Sequence, residues 1–138
     1  MKDKNNKGFT LMELLVVMII LGLLAAFVAP RVYKWVGPSK QKAAKIQISL
    51  FESALEKFLL DMDRYPTTEE GLNALVKKPA GAEKWAGPYL KKEIPLDPWG
   101  HPYVYKSPGE HGDYDIISYG KDGQPGGEGE DRDIVSWK

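Results

Sequence analysis

The chain of 138 residues contains no cysteine and only two histidines. The absence of cysteine excludes disulfide bonds, thiolate metal sites and a cysteine nucleophile. The 19 basic and 19 acidic residues give a formal net charge of zero. This balance argues against nucleic acid as the main partner, because a nucleic-acid-binding face carries a basic excess. Gly-x-Ser-x-Gly, His-Glu-x-x-His and Gly-Lys-Ser/Thr motifs are also absent, so the sequence predicts that the protein is not an enzyme.

The longest apolar run covers residues 9–29, in which only Thr10 and Glu13 are polar. At ~1.5 Å per helical residue this run spans roughly 30 Å, the thickness of a bilayer core. A helix that is apolar on all sides needs lipid or a large protein core around it, so a transmembrane helix is predicted. An ionised side chain inside such a helix costs on the order of 2.5–3.5 kcal/mol. Glu13 is therefore expected either to lie in the headgroup zone or to be functional.

The helical pattern continues beyond the apolar run. Pro30 and the Gly37-Pro38 pair interrupt it and predict a local bend. Apolar residues then recur at helical spacing, which predicts one long, kinked helix over residues 9–63 with one face packed on a domain. The residues grouped on this face are Ile46, Leu50, Phe51, Ala54, Leu55, Phe58, Leu59 and Met62.

The remaining sequence predicts short elements. A threonine cap at Thr67, acids in the first turn and Lys77-Lys78-Pro79 at the end predict a helix over residues 67–76. The Asp-Pro-Trp-Gly sequence at 97–100 is typical of a turn. Alternating residues predict strands at 101–106, 113–119 and 134–137. A small antiparallel sheet laid on the long helix buries the apolar faces of both, so the predicted fold class is α+β.

Residues 119–133, here called the acidic loop, contain five carboxylates and five glycines. Hard oxygen ligands on a flexible segment suit calcium, which takes about 6–8 oxygens. The loop is not an EF-hand, because Gln124 and Gly126 stand where acids are expected and no glutamate closes it. On composition alone the loop is either a solvated surface segment or a calcium site.

Residues 8–13, Gly-Phe-Thr-Leu-Met-Glu, follow a short basic leader and open the apolar run. This arrangement resembles the processing site of type IV pilins and type II secretion pseudopilins. The resemblance implies that a prepilin peptidase cuts between Gly8 and Phe9 and that Phe9 becomes N-methylated. It also implies that Glu13 neutralises the N-terminus of a neighbouring subunit in a filament. The expected divisions are a leader peptide (1–8), a transmembrane and filament-core helix (9–30) and a periplasmic domain (31–138).

Residues 65–75, residues 97–100 and the acidic loop are similar to segments of the major pseudopilins of the type II (general) secretion pathway, within the type IV pilin-like superfamily. The resemblance implies a subunit that polymerises into the periplasmic pseudopilus and helps to drive folded exoproteins across the outer membrane. It also implies that calcium is the cofactor. The side chains of Asp122, Asp131 and Asp133 and the carbonyls of Tyr119 and Gln124 are its implied ligands. Glu128 and Glu130 are the alternatives to Asp131.

The implied partners are further copies of the chain, the prepilin peptidase, the minor pseudopilins and the inner-membrane assembly platform. The family is anchored in the inner membrane by a single helix, with a cytoplasmic N-terminus and a periplasmic C-terminal domain. Counting charges does not fix this orientation, because lysines and arginines flank both ends of the apolar run.

Two other functions fit parts of the sequence. The first is a type IV pilin or minor pilin used for adhesion, motility or DNA uptake. It would share the chain up to about residue 63 but not the acidic loop, and it usually carries a cysteine pair. The second is a periplasmic binding module or enzyme on an uncleaved membrane anchor. Retention of residues 1–8 in the mature protein would indicate this second function.

Overall fold

The computed structural model describes residues 8–138, apart from the side chains of residues 32–35. The predicted leader, residues 1–8, lies outside this range except for Gly8. The chain divides into two units, one ending at Val36 and the other comprising Gly37–Lys138. The elements in chain order are helix α1 (Leu11–Met62), a 3-10 helix (Leu72–Leu75), strands β1 (Val104–Lys106) and β2 (Asp115–Ser118), a second 3-10 helix (Gly129–Asp131) and strand β3 (Ile134–Val135).

Helix α1 is the long helix that the sequence predicts, and it continues through Pro30 and the Gly37-Pro38 pair. Its first part, Leu11–Arg31, is long and apolar enough to cross a membrane, and it is 0% buried within the chain. The helix ends at Met62 because Asp63 adopts a left-handed conformation with φ of 57°, while its N–H still donates to the carbonyl of Leu59. The bend expected at the prolines stays a prediction.

The core of the Gly37–Lys138 unit is built on one face of α1. Phe51, Leu55 and Phe58 are fully buried there, at the three- and four-residue spacing of a helix face. They cluster with the 3-10 helix and with the central residues of β1 and β2. The sequence pattern was wrong for Ile46 and Leu50, which are 55% and 52% exposed. They lie beside the buried face because helical periodicity does not fix the width of an apolar stripe.

The three predicted strands are confirmed, and they are shorter than predicted. They form one antiparallel sheet in the order β1-β2-β3, with Tyr105 opposite Ile116 and Ser118 opposite Ile134. Residues 101–103 do not join the sheet, because the carbonyl of His101 accepts the N–H of Asp97 instead. The hydroxyl of Tyr105 donates to the carbonyl of Pro66 at 2.8 Å and fastens β1 to the segment after α1.

The predicted helix over residues 67–76 was wrong. Its cap forms as expected, since Thr67 Oγ1 accepts the N–H of Glu70 and Glu70 Oε1 accepts the N–H of Thr67, both at 3.2 Å. Gly71 then adopts φ of 62° and ψ of −168°, which no helix allows. One turn followed by the 3-10 helix Leu72–Leu75 therefore replaces the longer helix.

Asp115, the first residue of β2, holds the 107–113 connection in place. Its Oδ2 accepts the N–H of Glu110 at 2.9 Å and lies 3.1 Å from Nδ1 of His111. Burial alone would raise the pKa of Asp115, since the residue is only 3% exposed. The hydrogen bonds from Glu110 and His111 outweigh burial, and the pKa of Asp115 lies below its usual 3.8.

Replacing Phe58 with alanine should lower the free energy of unfolding by about 3–5 kcal/mol, because it removes a fully buried ring. The matched control is Leu60→Ala on the same helix, where the side chain is 80% exposed and the loss should stay within about 0.5 kcal/mol. Urea unfolding in detergent, followed by tryptophan fluorescence, measures both variants. Equal losses would contradict the buried face described above.

Asp115→Asn should lower the free energy of unfolding near neutral pH by about 1.5–3 kcal/mol, as expected for hydrogen bonds to a charged group. Because the folded state lowers the pKa of Asp115, its stabilising effect is present above 3.8 and is lost as the pH falls below that value. Stability should therefore fall less steeply on acidification in the variant. Urea unfolding at several pH values tests this, with Asp113→Asn, an exposed acid, as the control. Parallel pH profiles for the wild type and Asp115→Asn would refute the conclusion that folding lowers the pKa of Asp115.

Candidate functional site

The start of α1 is closed by a reciprocal pair of hydrogen bonds. Thr10 Oγ1 accepts the N–H of Glu13 at 3.1 Å, and Glu13 Oε2 accepts the N–H of Thr10 at 3.4 Å. This is a capping box, which satisfies two of the N–H groups that a helix start leaves without partners. From the sequence, these residues are predicted only as part of the processing motif, although the Thr-x-x-Glu spacing is also the signature of a capping box. Gly8 and Phe9 precede the helix and are exposed.

Glu13 lies at the edge of an apolar surface. A shallow depression of about 350 Å³ at the helix start is lined by Phe9, Thr10, Met12, Glu13, Val16 and Val17. The side chain of Phe9 is 83% exposed, and that of Met12 is 69% exposed. A carboxylate on such a surface has little water around it once lipid or another helix covers it, which strengthens its attraction to any nearby cation.

The acidic loop folds back so that two segments, here called its limbs, lie against each other. Residues 119–126 form the first limb, and residues 129–135, which continue into strand β3, form the second. The N–H of Lys121 donates to the carbonyl of Glu130 at 3.0 Å, and the N–H of Gly126 donates to Oδ2 of Asp133 at 3.0 Å. Glycine is required at Gly120, where φ is +74° and a Cβ atom would lie 2.8 Å from the Glu130 carbonyl oxygen. Gly127 has φ of +98° and a similarly close approach to Asp131.

The predicted calcium ligands have different environments in this loop. Asp122 and Gln124 are exposed, whereas Tyr119, Asp131 and Asp133 are half-buried. Asp122 Oδ1 already accepts the N–H of Gln124 at 3.1 Å. Within residues 8–138, no three histidine or acidic side chains form a group that could hold a metal ion. The loop therefore does not gather its acidic side chains at one point.

Asp133 is the residue that best fits a cation. Its Oδ1 is buried and has no hydrogen-bond donor among the described residues, although its Oδ2 accepts the N–H of Gly126. A buried carboxylate oxygen without a donor is costly, and a bound cation removes that cost. The loop offers only oxygen ligands, from carboxylates and carbonyls, which is the chemistry that calcium prefers. In this chemical sense the residues fit calcium.

The two alternative acids differ in their contacts. Glu130 Oε2 accepts a hydrogen bond from Nζ of Lys121 at 3.1 Å, and the Glu130 side chain also lies against Gly37. Glu128 is exposed. Glu130 is thus already engaged in holding the loop together, so Glu128 is the better candidate for a substitute ligand.

Sequence reasoning missed the residues that hold the first limb of the loop. Asp97 is only 4% exposed; its Oδ1 accepts the N–H groups of Trp99 and His101, and its Oδ2 accepts the hydroxyl of Ser118 at 2.8 Å. The His101 ring lies 3.3 Å from the Lys121 carbonyl through Nε2. The turn at 97–100 was predicted, but its link to the acidic loop is long-range and leaves no local pattern in the sequence.

The N-terminal segment and the rest of the chain match two known families. Residues 3–29 match the prokaryotic N-terminal methylation motif, and residues 31–137 match the family described as type II secretion system (T2SS), protein G. The chain is 44% identical over 140 residues to the type II secretion system core protein G of Pseudomonas aeruginosa, covering 99% of both chains. It is 45% identical to that of Vibrio cholerae, covering 99% of this chain and 94% of the relative.

A solved structure shows the same fold. The crystal structure of the major pseudopilin from the type 2 secretion system of enterohaemorrhagic Escherichia coli matches with a TM-score of 0.61 and 38% identity. The match covers 72% of this chain and 88% of that chain. These findings confirm the predicted α+β pseudopilin fold and favour a secretion pseudopilin over a type IV pilin or an enzyme on a membrane anchor. The chain therefore belongs to the type II secretion system protein G family.

Proposed function

We propose that this chain is a structural subunit that polymerises into the pseudopilus of the type II secretion system. In that filament it helps to drive folded exoproteins across the outer membrane. The observation that carries the proposal is the apolar surface of Leu11–Arg31, which is 0% buried within the chain and carries Glu13 near its start. The apolar side chains of such a helix are covered by lipid before assembly and by the helices of other copies afterwards.

The chemistry of assembly rests on the first residues of the mature chain. Cleavage by the prepilin peptidase after Gly8 would leave an ammonium group at Phe9, and the methylation motif over residues 3–29 supports this processing. Both residues are exposed and precede the helix, so a peptidase would meet an accessible bond. In the filament, Glu13 of one subunit would pair with the Phe9 ammonium of its neighbour. The pair replaces two unpaired charges in an apolar environment, and assembly becomes favourable.

The same segment supports the proposed location. The chain would be held in the inner membrane by Leu11–Arg31, with the N-terminus in the cytoplasm and Gly37–Lys138 in the periplasm. Its partners would be further copies of itself, the prepilin peptidase, the minor pseudopilins and the inner-membrane assembly platform. The family assignment supports a structural role and no catalytic one.

The capping box allows the two roles of Glu13 to be separated. Glu13→Gln keeps an oxygen that can accept the Thr10 N–H but removes the charge, whereas Glu13→Ala removes both. Both variants should insert into the membrane as the wild type does, and both should assemble at least about tenfold less filament, as expected for the loss of a charge pair worth more than about 1.4 kcal/mol. Quantitative microscopy of sheared filaments and membrane fractionation provide the two measurements.

Thr10→Ala is the matched control, since it breaks the capping box and leaves the Glu13 charge in place. We expect this variant to assemble filaments. Normal assembly by Glu13→Gln would show that the charge is not needed, and failure of Thr10→Ala to assemble would show that the helix cap is needed.

We also propose that the acidic loop binds calcium and that the ion takes the place of a disulfide in closing it. The Oδ1 of Asp133, which is buried and has no donor among residues 8–138 as the structure describes them, supports this proposal, as do the oxygen-only ligands of the loop. Asp122, Asp131 and Asp133 would supply carboxylate oxygens, and Tyr119 and Gln124 would supply carbonyl oxygens. The bound ion would offset most of the negative charge of the acidic loop, and Asp122 and Asp131 would turn toward Asp133 as the loop closes.

Calcium at about 100 times its dissociation constant should stabilise the protein by about 2.7 kcal/mol and raise the melting temperature by several degrees. Asp122→Ala and Asp133→Ala should lose most of that rise, and Glu83→Ala, an exposed acid outside the loop, should keep it. Thermal melts of the chain in detergent, in calcium and in chelator, measure the effect. Wild-type melts that coincide in the two solutions would refute the calcium proposal, and a full rise in Asp122→Ala would remove Asp122 from the site.

A further inference from the structure

Two side chains on helix α1 hold the second limb of the acidic loop. Gln41 donates a hydrogen bond from Nε2 to the carbonyl of Gly129. Lys45 donates from Nζ to the carbonyl of Val135 at 2.6 Å, and it also donates to the carbonyl of Lys138. All three bonds join residues about ninety positions apart in the sequence. The limb is therefore attached to the helix by side chains outside the loop.

Helix α1 also has a glycine, Gly37, against which the Glu130 side chain of the second limb lies. A Cβ atom at Gly37 would collide with the Glu130 side chain, with Cγ at 2.8 Å and Cδ at 2.9 Å. Gly37, Gln41 and Lys45 follow one another at four-residue intervals, so they lie along one face of α1. Glu130, Gly129 and Val135 meet this face in turn. The absence of a side chain at Gly37 gives the Glu130 side chain the room to dock.

The attachment points lie on either side of the acids proposed as ligands. Asp131 and Asp133 lie between Gly129 and Val135, whose carbonyls are the ones held by Gln41 and Lys45. Residues four apart on a helix keep a nearly fixed separation of about 5–6 Å between their Cβ atoms. The helix thus limits how far apart the two ends of the 129–135 limb can move. A cavity of about 220 Å³ is lined by Gln41, Lys45, Arg132, Asp133, Ile134, Val135 and Lys138.

We propose that Gln41 and Lys45 are positioning residues for the acidic loop, which fix the 129–135 limb so that the Asp133 carboxylate is presented to the cation. The contribution to calcium binding rests on the proposed calcium site, whereas the positioning of the limb does not. A chain that has lost these bonds must order the limb when it binds the ion, and the entropy of that ordering weakens binding.

The test uses the full processed chain in detergent and four variants. Lys45→Met keeps the apolar stem and removes the donor, Lys45→Arg keeps a donor, Gln41→Ala removes the amide, and Lys42→Met changes an exposed lysine on the same helix. We expect Gln41→Ala, which removes one hydrogen bond, to weaken the calcium affinity about tenfold, and Lys45→Met, which removes two, to weaken it at least as much. Lys45→Arg and Lys42→Met should stay within about threefold of the wild type. Calorimetric titration with calcium chloride measures the affinities.

Hydrogen exchange in chelator separates the two proposals. If the helix positions the limb, the N–H groups of Gly126 and Asp131 exchange faster in Lys45→Met and Gln41→Ala than in the wild type without any calcium. The N–H of Tyr89, which donates to the carbonyl of the buried Leu75 at 2.7 Å, serves as the reference that reports intact folding. Unchanged exchange at Gly126 and Asp131 in both variants overturns the positioning role. If calorimetry detects no calcium binding to the wild type while both variants still exchange faster at Gly126 and Asp131, the metal site is overturned and the positioning role is supported.

Discussion

The burial of Phe51, Leu55 and Phe58 on one face of α1 is the interaction on which the Gly37–Lys138 unit depends. The sheet has only three short strands, of two to four residues, and strands of that length are not stable without a partner surface. The helix supplies the surface, and Tyr105 and Ile116 close over it from β1 and β2. Everything at the far end of the chain, including the acidic loop, is placed by this contact, because the loop begins directly after β2 and ends at β3.

The parts of the fold that the sequence predicted are those that local patterns govern. The apolar run and the alternating strands appear close to the predicted positions, and four of the residues predicted on the packed helix face are buried: Phe51, Ala54, Leu55 and Phe58. Prediction failed where a single backbone angle or a distant contact determines the local structure or the burial of a residue. Gly71 converts a well-capped helix start into one turn and a 3-10 helix, although Thr67 and Glu70 make the expected bonds. Ile46 and Leu50 obey the helical period and still lie outside the core.

The candidate site shows the same difference between features that local patterns predict and features that distant contacts determine. The processing bond and the role of Glu13 were predicted from a contiguous motif, and the acidic loop was singled out by its composition. The residues that shape the loop were missed, because Asp97, His101, Gln41 and Lys45 act on it from 20 to 90 positions away. A sequence shows which side chains have ligand chemistry, but the fold decides which of them are held in place. Asp133 stands out only in the structure, since one of its oxygens is buried without a donor in the described part of the chain and the other accepts the N–H of Gly126.

The capping box affects the energetic cost of placing a charged residue at the start of a membrane helix. The N–H groups of the first turn lack partners in any helix, and in lipid no water replaces them. Glu13 and Thr10 satisfy two of these groups within the chain. The Glu13 carboxylate therefore reduces the cost of placing unpaired N–H groups in lipid, while its own charge adds a cost of insertion. Only Oε2 of Glu13 takes part in the cap, and a carboxylate has about four acceptor positions. Capping of its own helix and pairing with the ammonium of a neighbour are therefore compatible for Glu13. In the proposed filament, a subunit that leaves the bilayer would not need to break the first interaction to make the second.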